Sequence, residues 1–244
     1  MVAVLIGLVA SACVVHVPSA SATVPTPYYP TGYWLVTADG GVLPFPAGSN
    51  STSIANLNAP VVGIGAQQDF RAYGYANAYW LVAADGGVFT GGQASFYGSA
   101  GGMHLNAPIV GMAASEIGNG YWLVAADGGV FSYGRTLFFG SLGGMHLNAP
   151  VVGMAATPQF GGYWLVAADG GVFAFANAGF FGSAGGTPLN SPVVGMAATP
   201  DGGGYWLVAA DGGVFTYGDA GFYGSAGGTP LNSPVVAIQP VVDA

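Results

Sequence analysis

The sequence predicts an all-β protein, a five-bladed β-propeller built from four-stranded repeats of about 42 residues. A Tyr-Trp-Leu-Val phrase recurs five times and contains every tryptophan of the chain. Each copy is followed by Asp-Gly between two apolar runs, which is a strong short signal of a β-hairpin. A fixed period of this length is typical of propellers, solenoids and similar arrays. The five tryptophans are Trp34, Trp80, Trp122, Trp164 and Trp206.

The N-terminus, residues 1–22, is predicted to be a secretory signal peptide. The first half of this segment is nearly all apolar, and small residues at Ala20 to Ala22 are typical of a cleavage site. No lysine or arginine precedes the apolar run, which is not typical of a signal peptide. Two alternatives stay open: lipid modification of Cys13, because Ala10 to Cys13 loosely resembles a lipobox, and an uncleaved anchor. Pro18 argues against a stable spanning helix. Residues 23–31 then form a short extended leader, and we expect a secreted or cell-surface location.

The repeat domain is expected to span residues 32–244. In one copy, short apolar runs near Val193, Gly204, Val214 and Phe222 are each bounded by Gly, Pro, Asp or Asn, the signature of strands. Both alternating faces of the Tyr-Trp strand are apolar, which indicates a sheet buried on both sides, as between blades. The Asp-Gly pairs predict type I′ turns, with positive φ at both central residues.

The two ends of the array predict how it closes. The repeats begin at a Tyr-Trp strand and finish after the Pro-Val-Val strand at Pro234–Val236. We therefore expect the last strand to complete the blade that Trp34 begins, which would close the ring and remove exposed strand edges. An open or β-helical solenoid, which needs capping repeats, is the alternative. A partial propeller completed by oligomerisation is a further one.

The charge balance limits the function classes. The chain has 244 residues, of which 5% are charged, with two arginines, no lysine and a net charge of −8. A phosphate backbone would meet almost no counter-charge, so nucleic-acid binding is excluded. After the N-terminal segment no stretch is apolar and long enough to predict a membrane span. A neutral, hydroxyl-rich ligand suits such a surface better.

The repeat written GYWLVAADGGVFTYGDAGFYGSAGGTPLNSPVV, at 204–236, resembles a repeat of secreted actinobacterial proteins. The resemblance covers nearly all of the chain after the predicted signal peptide. In that family the repeat accompanies cell-wall or polysaccharide-active domains, and no such domain accompanies it in this sequence. The resemblance implies an extracellular accessory role and carries no catalytic residue. Five-bladed lectin propellers are similar in architecture alone.

The candidate binding residues belong to the long segments between repeats, because long loops on a rigid scaffold commonly bind ligands. Amide side chains there suit sugar hydroxyls, although asparagine also stabilises turns through its own backbone. Outer-strand aromatics are candidate sugar platforms, with packing between blades as the alternative. Two histidines lie in the same loops, without the partners at ligand spacing that a metal needs. The candidates are Asn106, Asn148, Asn190, Asn232, His104, His146, Tyr97, Phe139, Phe181 and Tyr223.

Catalysis is not expected. Glu116 is the only glutamate, whereas a glycosidase needs two carboxyl groups facing one bond. The turn aspartates, one per repeat, do not supply the converging oxygens of a calcium site. No motif for a nucleophile, zinc or phosphate occurs, so neither a cofactor nor a metal is predicted. We expect multivalent recognition of a cell-wall or other polysaccharide. A structural or adhesive protein contacting surface proteins or itself is the alternative, and a propeller glycosidase is less favoured.

Overall fold

A computed structural model describes residues 33–45, 54, 56–66, 78–115, 119–158 and 161–238. The predicted signal peptide and leader, and Glu116, lie outside these residues. The described chain consists of strands joined by turns and extended segments. The strands are β1 (Tyr33–Val36), β2 (Val42–Phe45), β3 (Val61–Ala66), β4 (Tyr79–Ala83), β5 (Val88–Gly91), β6 (Ile109–Ala114), β7 (Gly120–Ala125), β8 (Val130–Gly134), β9 (Val151–Ala156), β10 (Gly162–Ala167), β11 (Val172–Ala176), β12 (Val193–Ala198), β13 (Gly204–Ala209) and β14 (Val214–Gly218).

These strands form five antiparallel sheets, one per repeat, which confirms the predicted all-β class. The first sheet pairs β1 with β2, and each of the other four has three strands with the Tyr-Trp strand in the middle. The central strands are buried along their whole length in β7 and β10. Since both faces of these sheets are covered, the two-sided apolar pattern of the sequence is explained.

Four strands per repeat were predicted, and the described sheets have at most three. In the four later repeats, the fourth segment forms no ladder with the third strand. We call these stretches the outer segments; they are residues 94–100, 136–142, 178–184 and 220–226. Tryptophan side chains hold them by single hydrogen bonds to backbone carbonyls, as from Trp80 to Ser95 at 2.8 Å. A side-chain contact thus replaces the expected strand pairing.

The Asp-Gly hairpin turns form as predicted, but the type I′ prediction is wrong. The Gly86 N–H donates to the Ala83 carbonyl at 2.9 Å, and the Ala83 N–H donates to Gly87 at 2.8 Å. Gly86 has a φ of +83°, whereas Asp85 is not among the described non-glycine residues with positive φ. This combination is a three-residue loop in which a glycine in the left-handed region follows the turn. A Cβ on Gly86 would also lie 2.6 Å from that of Ala100, so the outer segment requires glycine here.

The first strands of neighbouring sheets lie side by side, with β3, β6, β9 and β12 in that order. Their third residue is glycine, and a Cβ added at Gly111 would be 3.9 Å from the Gly153 Cα. Repeats are linked by backbone hydrogen bonds such as that from the Val193 N–H to the Ala168 carbonyl, at 2.9 Å. Contacts between the first strands and these backbone hydrogen bonds therefore join adjacent repeats.

The predicted ring closure is not present in the described residues. Strand β1 pairs only with β2, and residues 234–238, expected to complete that sheet, form no strand. These residues lie beside β12, in the place of the first strand of a further sheet, where a Cβ on Gly195 would be 3.7 Å from the Ala237 Cα. The side chain of Val236 is 77% exposed. The described residues thus form an array of five sheets, with Val236 exposed in the last described segment.

Candidate functional site

Each boundary between consecutive three-stranded sheets is built around one tyrosine. We call Tyr121, Tyr163 and Tyr205 the interface tyrosines; all three have no exposed surface. The Tyr205 hydroxyl donates to the Gly182 carbonyl at 2.6 Å and accepts from the Phe181 N–H at 3.2 Å. Tyr121 makes the same two contacts with Gly98 and Tyr97 of the preceding repeat. One phenol thereby satisfies two backbone groups of an outer segment that has no ladder of its own.

Aromatic rings surround each interface tyrosine. The Tyr205 ring centroid lies 5.5 Å from that of Trp164, 5.8 Å from Phe181 and 5.6 Å from Tyr217. The Trp164 indole in turn donates to the Gly179 carbonyl at 2.7 Å. Tryptophan thus binds the outer segment of its own repeat, and the next repeat's tyrosine binds the same segment from the other side. This arrangement explains why the two residues are adjacent in every copy.

The outer-strand aromatics predicted as ligand platforms divide into two groups. Tyr97, Phe139 and Phe181 are half-buried and pack on the interface tyrosines. Tyr223, at the same position of the last repeat, is 90% exposed. For the first three, the contacts favour the packing role that was the alternative reading.

A row of exposed phenylalanines, which sequence reasoning missed, lies one residue earlier. We call it the phenylalanine row: Phe96, Phe138, Phe180 and Phe222, exposed by 59%, 60%, 62% and 62%. In an extended segment successive side chains point in opposite directions. Because the following residue faces the interface, this position must face solvent. The sequence shows two adjacent aromatic residues in each of these segments, but it does not show which of the two is buried.

The predicted asparagines and histidines are all exposed: Asn106, Asn148, Asn190, Asn232, His104 and His146. Asn232 lines a shallow depression of about 330 Å³ together with Asp211 and Pro234. A similar depression of about 490 Å³ in the first repeat is lined by Asp39 and Asn58. Asn58 precedes Ala-Pro just as Asn106 does, so it is an equivalent that the sequence analysis overlooked. The structure brings the loop asparagine and the turn aspartate to one surface.

The turn aspartates stabilise their own turns through hydrogen bonds to the backbone. An Asp169 carboxylate oxygen accepts from the Gly171 N–H at 2.9 Å, and Asp127 accepts from Gly129 at the same distance. This local bond is typical of aspartate in turns. Across the described residues, no three His, Cys, Asp or Glu side chains cluster as metal ligands do. Nor does any helix in the described ranges have the length and apolar character required to cross a bilayer.

Burial raises the pKa of the interface tyrosines Tyr121, Tyr163 and Tyr205 above the usual value, while their backbone hydrogen bonds lower it to a lesser degree. The same burial raises the pKa of Tyr133 and Tyr217. Removing a phenol from water disfavours the phenolate. These boundaries are therefore expected to loosen in alkali.

The free energy of unfolding is expected to fall as pH rises above about 10, the pKa of an ordinary tyrosine. Since the folded pKa values are raised, the stabilisation is complete below the unfolded pKa and is lost as pH passes through the folded one. Urea unfolding at a series of pH values measures this. Tyr163→Phe should cost about 1 to 2 kcal/mol at neutral pH and reduce the alkaline slope. If the free energy of unfolding of Tyr163→Phe falls with pH as steeply as that of the unaltered protein, then Tyr163 does not cause the alkaline loss of stability.

In comparisons with known proteins, no protein-family model matches the chain, and no curated protein matches it significantly.

Proposed function

We propose that this protein is a secreted, non-enzymatic binding module that recognises a neutral polysaccharide through several equivalent sites. The observation that carries the proposal is the phenylalanine row, an exposed aromatic at the same position of four consecutive repeats. Single exposed apolar residues are common, but a repeated set of this kind is typical of an interaction surface. Aromatic faces provide apolar platforms on which the C–H face of a sugar ring can pack.

Charge and multiplicity support the choice of ligand. With 5% charged residues the surface offers little to an ionic partner, whereas the exposed loop asparagines offer both donors and acceptors. Weak sites on one rigid array raise the overall avidity for a polymer without strong individual contacts. A regular polymer of sugars is the ligand that presents matching repeats.

The same exposed phenylalanines are also consistent with a structural or adhesive role, in which the row contacts another surface protein. Exposed methionines at Met103 and Met145, 54% and 61% accessible, add apolar surface to the loops. Such a protein would bind its partner without competition from glycans. The two functions are separated by the test that follows.

Replacing all four phenylalanines of the row by alanine is expected to reduce polysaccharide avidity by about 100-fold, because multivalent gains of this size are lost with their sites. Single replacements should cost far less. The measurement is binding of the secreted chain, residues 23–244, to a panel of polysaccharides and cell-wall fractions, with calorimetric stoichiometry on any ligand found. Several equivalents per chain are expected.

The matched control replaces the loop asparagines Asn106, Asn148 and Asn190 by alanine and leaves the row intact. If this variant loses binding and the phenylalanine variant does not, the loops are the site and the row is not. Absence of binding to every glycan by the unaltered chain would overturn the carbohydrate proposal and favour the adhesive role.

A further inference from the structure

At the boundary between the last two repeats, the end of one repeat is covered by the next repeat. There β13 places Tyr205 against Trp164 and Phe181 of the preceding repeat. Gly182 accepts the tyrosine hydroxyl, and a Cβ at this glycine would lie 2.5 Å from the Tyr217 ring. The same arrangement recurs at the two earlier boundaries, so it is a general docking geometry of this repeat.

The last repeat presents the receiving half of that geometry, and none of the described residues occupies it. Its Tyr223 corresponds to Phe181 and is 90% exposed. Gly224 has a φ of +119°, close to the +137° of Gly182, yet no atom of the described residues would lie within 4 Å of its Cβ. The backbone is thus already shaped to accept a tyrosine and its neighbouring aromatic.

The first hairpin matches the inserting half in sequence and in backbone register. Strands β1 and β2 pair with Tyr33 opposite Phe45, the register that places Tyr205 opposite Tyr217. Among the described residues, no first strand pairs with this sheet. At the other end of the array, residues 234–238 lie where a first strand would, with the Val235 N–H donating to the Ala210 carbonyl at 2.9 Å, but no second strand pairs with them. The two ends are complementary parts of one sheet.

We propose that the C-terminal end of one copy binds the β1–β2 hairpin of a second copy, forming a head-to-tail assembly. The hairpin of the same chain contacts its own next repeat, where the Val61 N–H donates to Ala38 at 2.8 Å and Val42 packs with Val61 and Leu81. Tyr223 of that chain is 90% exposed among the described residues, so the receiving face is open to a second copy. Such an interface joins unlike surfaces, so it adds copies until a ring closes or a filament grows.

Sedimentation of residues 23–244 over a wide concentration range tests this interface. The unaltered chain is expected to form species of two or more copies, and Tyr223→Asp is expected to be monomeric because it places a charge in the receiving face. Tyr33→Asp should likewise be monomeric. A mixture of these two variants retains one intact interface and should form a dimer that neither forms alone.

Phe222→Asp is the matched control, since its equivalent Phe180 remains 62% exposed beside a covered boundary. This variant should assemble like the unaltered chain. A monomeric unaltered chain that is destabilised by Tyr223→Asp would overturn the proposal and show that the hairpin closes the ring of its own chain. A monomer with unchanged stability in Tyr223→Asp would overturn it as well, since nothing then covers this face. None of these outcomes depends on glycan binding.

Discussion

Replacing Trp164 by alanine is expected to lower the free energy of unfolding by about 3 to 5 kcal/mol. The indole is fully buried, packs on Tyr205 of the next repeat and donates to the Gly179 carbonyl. Alanine would leave a cavity at the boundary and an outer segment without its anchoring hydrogen bond. Urea unfolding followed by circular dichroism gives the change, and an unchanged denaturant slope would show that the rest of the array still unfolds with it.

The matched control is Trp206→Ala, studied at concentrations where the chain is monomeric. Trp206 makes the equivalent hydrogen bond, to the Gly221 carbonyl at 2.7 Å, but is only partly buried. We therefore expect a smaller loss of stability. Equal losses for the two variants would mean that stacking across the boundary contributes little and that the bond to the outer segment dominates.

Gly182→Ala is expected to cost about 2 to 5 kcal/mol, from backbone strain combined with overpacking. Its φ of +137° lies where residues with a Cβ are strained, and the added methyl would meet the Tyr217 ring at 2.5 Å. The clash is with an aromatic ring held inside a boundary, which has little room to yield. Thermal and urea unfolding of the purified variant measure the effect.

Gly224→Ala separates the two causes. This glycine has a similar φ of +119° but no neighbour within 4 Å among the described residues, so strain alone should cost about 1 to 3 kcal/mol. The difference between the two variants reports the contact across the boundary. If Gly224→Ala is as damaging as Gly182→Ala in the monomer, the last repeat is covered and the array is not open there.

Several features of the fold followed from the sequence because they depend on local chemistry. Asp85 and Gly86 predicted a hairpin at the right place, since aspartate binds its own turn and glycine accepts positive φ. The uninterrupted apolar run of each Tyr-Trp strand predicted strands buried on both faces. The turn type was wrong because a two-residue and a three-residue loop share the Asp-Gly signal, and only the backbone hydrogen bonds distinguish them.

The candidate site was predicted less well. The sequence shows two adjacent aromatic residues in each outer segment. Which of the two faces solvent depends on which one the next repeat covers. Phe180 was therefore overlooked and Phe181 was chosen, although the latter packs on Tyr205. The loop asparagines are exposed as a binding role needs, while Asn58 escaped notice because its repeat departs from the others.

By itself, the sequence determined the strand-rich class, the repeat period, the turn positions and the near absence of charge, because each is encoded within one repeat. Only the tertiary structure decided the number of strands per sheet, the direction of each aromatic and the state of the two ends. Those properties depend on contacts between neighbouring repeats, such as that of Tyr205 with Gly182, and Tyr223 of the last repeat is exposed among the described residues. A repeat carries the same residues wherever it stands, but its position in the array decides which of them are covered.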